Sequence, residues 1–237
     1  MSRNPAPGPH LYVVAFTGRS GSSYLCDHLR STGCLGAPEE YCNPGTIEGW
    51  KKALGARSHE ELLPLVLKKT ATENGVAGLK ITWGDLEILM KHIDLPGEFR
   101  TARYIWLRRR DRLRQAISWY RARCSGVWHW WPGDVRRDNG CPFDAERIFR
   151  CVRQIVADEE GWRRWFDGSR IVPLELWYED IVGAERATVR RICDFLDVPG
   201  DALPETVARV RMQRDELTEA WVRRINELHP DGISTAD

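Results

Sequence analysis

The sequence predicts an α/β fold, a central and mostly parallel sheet flanked by helices. "LYVVAFT", residues 11–17, is a continuous apolar and β-branched run of strand length, the pattern of a strand buried on both faces. A glycine- and serine-rich turn, "GRSGSS", follows it and opens a segment with helical spacing. Further strand-length runs then alternate with helical segments, the order that produces a parallel sheet.

After the turn, residues 22–32 form a helix with Leu25 and Leu29 one turn apart, Ser22 as the candidate N-cap and Gly33 placed to end it. Residues 43–74 give no clear periodicity. Strands are expected at "GLKIT" (78–82), "RYIWL" (103–107) and "RIVPLEL" (170–176). A helix starting near Asp111 carries Leu113, Ala116, Ile117 and Tyr120 on one face and stops at Gly126; another carries Val189, Ile192, Cys193 and Leu196. Both are expected to pack on the sheet. Residues 126–142 read as a long loop, Trp162 and Trp165 sit at helical spacing, and a final helix contains Leu217, Trp221, Ile225 and Leu228. At 237 residues without repeats, a single domain spanning 1–237 is expected, with a flexible stretch at 1–10.

Charge excludes some classes of partner. The chain has 35 basic and 34 acidic residues, so no global field draws it to nucleic acid or to a membrane surface. The polar, proline-rich start lacks a signal core, and no run reaches the roughly 18 apolar residues of a span. A cytoplasmic protein is expected. Seven cysteines without a C-x-x-C pair argue for reduced thiols, and Cys26, His28, Cys34 and Cys42 lack a compact ligand pattern, so no metal is assigned.

The turn between buried strand and helix offers backbone N–H groups, hydroxyls and the positive end of a helix dipole, which suit a phosphate. A capped helix would use the same letters. An ATP-binding loop needs G-x-x-x-x-G-K-[ST]; here Arg19, Ser20, Gly21, Ser22 and Ser23 include no lysine, which argues against a magnesium-dependent kinase. Arg108, Arg109 and Arg110 then stand at the end of a later strand, with Ser118 on the next helix, at the edge where open α/β sheets bind ligands. A second phosphate site there competes with plain surface solvation.

Together these residues resemble sulfotransferases that use 3′-phosphoadenosine 5′-phosphosulfate (PAPS), and most closely the bacterial trehalose 2-sulfotransferase family. The likeness runs in order through "RSGSSYLCDHLRSTGCLGAPEEY", "GLKITW", "RRRDRLRQAISWYRA", "EEGWRRWF", "LWYEDI" and "MQRDELTEAW". It implies a P-loop-like sulfotransferase fold in which Arg19, Ser20, Gly21, Ser22 and Ser23 hold the 5′-phosphosulfate of the co-substrate. Arg109 with Ser118 would clamp the 3′-phosphate, and Arg110 is the alternative or a second donor. Glu40 matches the general base, with Glu39 its near competitor; a glutamate carboxylate is ionised at neutral pH and able to accept a proton. Arg19 completes the catalytic pair as the charge that stabilises the transferred group, in place of the lysine many sulfotransferases carry.

The resemblance also implies that Lys80 and Trp83 line the nucleotide or acceptor pocket, with core packing the alternative for Trp83. Tyr178, Glu179 and Asp180 are read as supports of the fold. Gln213 and Asp215 match the family, whereas Met212 stands where the trehalose enzyme has arginine. "SGVWHWWPGD" gathers Trp128, His129, Trp130 and Trp131 into a candidate acceptor or interface surface, and Trp128 and Trp130 are carried as acceptor contacts. The segment between the base and "GLKITW" is shorter than in the trehalose enzyme, so the acceptor stays open: a small hydroxylated molecule, a carbohydrate or glycoconjugate first, an aromatic or lipid alcohol as the alternative. A nucleotide kinase or a non-catalytic anion sensor are the readings from other classes, and a homodimer is the assembly the resemblance implies.

Overall fold

The computed structural model describes residues 10–92, 97–128, 140–200, 203–209 and 215–229. In chain order the elements are β1 (His10–Phe16), α1 (Ser22–Ser31), α2 (Ile47–Leu54), α3 (His59–Thr70), β2 (Val76–Thr82), α4 (Trp83–His92), α5 (Gly97–Thr101) and β3 (Arg103–Arg108). They continue with α6 (Arg112–Ser125), α7 (Ala145–Ser169), β4 (Leu174–Trp177), α8 (Tyr178–Ile181), α9 (Glu185–Leu196) and α10 (Glu216–Leu228).

The four strands form one parallel sheet in the order β2-β1-β3-β4, pairing Val14 with Lys80, Phe16 with Leu107 and Arg108 with Trp177. The chain runs from β1 to β2 on one side and then crosses to β3 on the other. That reversal opens a crevice beyond the carboxyl ends of β1 and β3, where such sheets take ligands.

Strand alternation explains the two cores. Tyr12, Val14 and Phe16 face a cluster built with α1 and α9, while Leu11, Val13 and Ala15 face another built with α3, α4 and α7. The apolar run in β1 reads as continuous because both of its faces are covered.

Expected and observed elements differ at identifiable places. β4 starts at Leu174 rather than 170, because Pro173 has no N–H to give to a ladder. Residues 43–74 hold two helices: α3 is capped by Ser58, whose Oγ accepts from Glu61 N at 3.3 Å, yet it contains Pro64, which masks its pattern in the sequence. α9 packs on the sheet as expected. α6 does not; its Ala116, Ile117 and Tyr120 form a third cluster with α7 and α10 beyond the carboxyl edge. Its Asp111 cap and Gly126 stop are where the sequence puts them, Gly126 adopting a φ of 74°.

Cysteine pairing is a further correction. Cys124 and Cys141 form a disulfide with Cα atoms 5.8 Å apart, although reduced thiols were expected; the other five cysteines are free. An odd count and the lack of a C-x-x-C pair say nothing about two residues that the fold of α6 against α7 brings together. Among the described residues, no helix is long and apolar enough to cross a membrane.

Candidate active site

The turn after β1 is shaped for close approach. Ser20 N donates to Thr17 O at 3.2 Å, Arg19 lies in the left-handed region with a φ of 65°, and Gly21 follows at 91°. Gly21 is the N-cap of α1, and Ser22, read above as the cap, is instead the first helical residue. A Cβ on Gly21 would overlap the ring of Tyr178, so glycine is required by space as well as by φ. Ser20 is fully buried, and its Oγ has no hydrogen-bond partner among the described residues. A buried hydroxyl left open beside a helix N-terminus suits an anionic ligand.

The arginine run divides into three roles. Arg108 is sandwiched between Trp106 and Trp177, 4.4 Å from each ring, and its Nη2 donates to buried Glu159 at 3.0 Å. Arg110 faces away from the cleft and grips Asp180 through two bonds of 2.6 and 2.7 Å. Only Arg109 lines the cleft, with its guanidinium 4.9 Å from the Tyr178 ring and Nη1 donating to the Arg19 carbonyl at 3.4 Å. Glu179 accepts from the backbone N–H groups of Arg110 and Asp111 at 3.1 and 3.2 Å, which fixes the turn that presents Arg109.

Arg19 reaches across to α6, where its Nε donates to Ser118 Oγ at 3.0 Å, and its Nη1 donates to the carbonyl of Trp128 just beyond that helix. Burial, then the charges of Arg109 and Arg121, lowers its pKa to about 10. It stays cationic at neutral pH, and the crowding of like charges favours an anion between them.

The segment that carries Glu39 and Glu40 docks on β2. Lys80 N donates to the Glu39 carbonyl at 3.0 Å, while its side chain, almost fully buried, sets Nζ 3.1 Å from Glu40 Oε1 and 3.8 Å from Glu39 Oε2. The same ammonium donates to Ser23 Oγ at 3.0 Å. Burial disfavours the charge on Lys80, but its acidic neighbours, the Cys26 thiol and the carboxylates of Glu40 and Glu39, raise its pKa overall. Glu39 is also held by Arg30. Asn43 bridges Glu40 and Asp85 through contacts of 3.5 and 3.4 Å, and burial raises the pKa of Asp85.

Arg19, Gly21, Ser22, Ser23, Glu39, Glu40, Lys80, Arg109, Ser118 and Trp128 border one cleft of about 910 Å³, and Ser20, in the same turn, is fully buried. Trp83 does not line it; its ring meets Trp162 edge-on at 5.6 Å in the core. His129, Trp130, Trp131, Met212 and Gln213 lie outside the described residues. Asp215 caps α10 and holds Arg121 Nη1 at 2.8 Å, a structural role. Sequence reasoning missed Tyr178, Trp119, Asn43, Thr46, Trp50, Asp85 and Arg123 as lining residues. The "LWYEDI" motif signals Tyr178, but nothing local marks Thr46 or Trp50, which α2 carries to the cleft. Among the described residues, no group of three or more His, Cys, Asp or Glu side chains is placed to hold a metal ion.

Two trehalose 2-sulfotransferases are similar to this chain over nearly its full length. That of Mycolicibacterium smegmatis is 28% identical, covering 95% of this chain and 98% of its own, and that of Mycobacterium tuberculosis is 26% identical, covering 97% and 98%. A solved sulfotransferase from Alicyclobacillus acidocaldarius aligns over 95% of this chain and 97% of its own at a TM-score of 0.49 and 14% identity. The Stf0 sulphotransferase family model matches residues 11–227, from β1 through α10, and the chain belongs to that family.

Proposed function

We infer that the protein transfers the sulfuryl group of PAPS to a hydroxyl of a small polyhydroxylated acceptor, a carbohydrate. The observation that carries this reading is the cleft that the glycine- and serine-rich turn and Glu40 line together. The names of the two relatives support a sugar acceptor, and Trp50 with Asn43, Thr46 and Asp85 supplies the ring and polar groups that sugars use.

The turn's N–H groups, the open Ser20 hydroxyl and Arg19 would hold the phosphosulfate, and Arg109 with Ser118 the 3′-phosphate. Glu40 takes the proton of the acceptor hydroxyl as its oxygen forms a bond to sulfur. The S–O bond to the 5′-phosphate breaks, and adenosine 3′,5′-bisphosphate leaves. Arg19 neutralises charge that builds on the sulfuryl and leaving oxygens, and being fixed by Ser118 it does so without reorganisation. Glu40 fits the base role better than Glu39, whose carboxylate is engaged by Arg30 as well as approached by Lys80. A homodimer in the cytoplasm belongs to the same reading, with light scattering as its check.

The test is a panel of mono- and disaccharides, phenols and lipid alcohols incubated with PAPS, read by mass spectrometry for a gain of one sulfuryl group. Sulfation within the sugar set is expected. Sulfation confined to phenols or lipid alcohols would overturn the acceptor class, and bisphosphate release with none of them would overturn transfer to these hydroxyls.

A further inference from the structure

We propose that Lys80 is the positioning residue that couples the general base to the donor-binding turn, a role that rests on the sulfotransferase reading above. Three observations converge on one buried ammonium. Lys80 Nζ lies 3.1 Å from Glu40 Oε1, so it orients the carboxylate that takes the proton. It donates to Ser23 Oγ at 3.0 Å, on the first turn of α1 that faces the transferred group. Its own backbone N–H holds the carbonyl of Glu39 at 3.0 Å, which fixes the segment that bears Glu40.

The side chain is only 2% exposed, so solvent does not compete for it, and its place in β2 opposite Val14 makes the sheet itself the reference for the base. The surrounding charges are arranged to leave Glu40 available. Arg30 is paired with Asp27 and Glu39, so Glu39 answers mainly to Arg30 while Glu40 answers to Lys80. Asn43 and the Asp85 carboxyl lie on the other side of Glu40, and Lys80 is the cation placed against it. Lys80 therefore acts on the reaction through Glu40 and Ser23 rather than by exchanging a proton with the acceptor.

Lys80→Met and Lys80→Arg are compared with Glu40→Gln and with the Lys80→Met/Glu40→Gln double variant in steady-state kinetics, with adenosine 3′,5′-bisphosphate affinity measured beside them. In Lys80→Met, kcat falls about 10- to 100-fold, as expected when a catalytic group loses its aim. Lys80→Arg, which keeps a cation, recovers most of that loss, and the double variant is no slower than Glu40→Gln, since the two residues act as a unit. An undiminished kcat in Lys80→Met, or losses that multiply in the double variant, would overturn the proposal. Should Lys80→Met fail to bind adenosine 3′,5′-bisphosphate, Lys80→Gln carries the same comparison. Full turnover in Glu40→Gln alone would instead sink the assignment of the base, a separate failure.

Discussion

Arg19 Nε donates to Ser118 Oγ at 3.0 Å, joining the turn after β1 to a helix 99 residues further along the chain. The contact makes the two halves of the expected nucleotide site one unit, because Arg109 also holds the carbonyl of Arg19. On the proposed reading, loss of either partner should be felt at both phosphate positions.

Arg109→Ala should therefore weaken adenosine 3′,5′-bisphosphate binding by about 10- to 100-fold, the scale of a hydrogen bond to a charged group. Arg110→Ala should leave it unchanged, since that side chain faces Asp180. Calorimetric titration of both variants checks the pair; equal losses would contradict the assignment.

Glu40→Gln should keep nucleotide affinity and lose about 100- to 10,000-fold in kcat, the range for general-base catalysis. Titration for binding and steady-state rates for turnover separate the two effects. Glu39→Gln should lose less, because Arg30 already engages that carboxylate.

Gly21→Ala should destabilise the protein by about 2 kcal/mol, combining a left-handed backbone with a clash. The Tyr178 ring occupies the space of the new methyl group. Thermal unfolding gives the cost, and bisphosphate affinity should fall with it as the turn moves.

Asp158 supplies a pH prediction away from the cleft. Burial pushes its carboxyl up to about 6, although Gln154 donates to it at 2.8 Å. The folded protein then holds a proton that the unfolded chain, with an ordinary pKa of about 3.9, has released, so stability falls as pH rises from about 4 to about 6. Asp158→Asn keeps the acceptor for Gln154 and removes the charge. It should stabilise the protein at pH 7 by up to about 3 kcal/mol, with the advantage vanishing near pH 4. Unfolding midpoints of both proteins across that window provide the check.

The parts of the fold legible in sequence were those set by local chemistry. β1 followed from its apolar run, α6 from Asp111 and Gly126, and the turn into α1 from glycine and serine between strand and helix. Tertiary contacts hid the rest. Arg108 belongs to a tryptophan sandwich that only the pairing of β3 with β4 creates. Pro64 obscured α3, and with α2 unread the cleft wall at Thr46 and Trp50 was invisible. Lys80 was legible as a pocket residue, but its bridge between Ser23 and Glu40 depends on three segments meeting at the end of the sheet.

The measurement that tests the central claim most directly is titration of the protein with adenosine 3′,5′-bisphosphate beside ADP and ATP, with and without magnesium. Selective binding of the bisphosphate in the absence of metal is the predicted result, because the proposed reading gives one phosphate to the turn and the other to Arg109 with Ser118. A preference for magnesium-ATP would contradict the account and make the turn a kinase-type site.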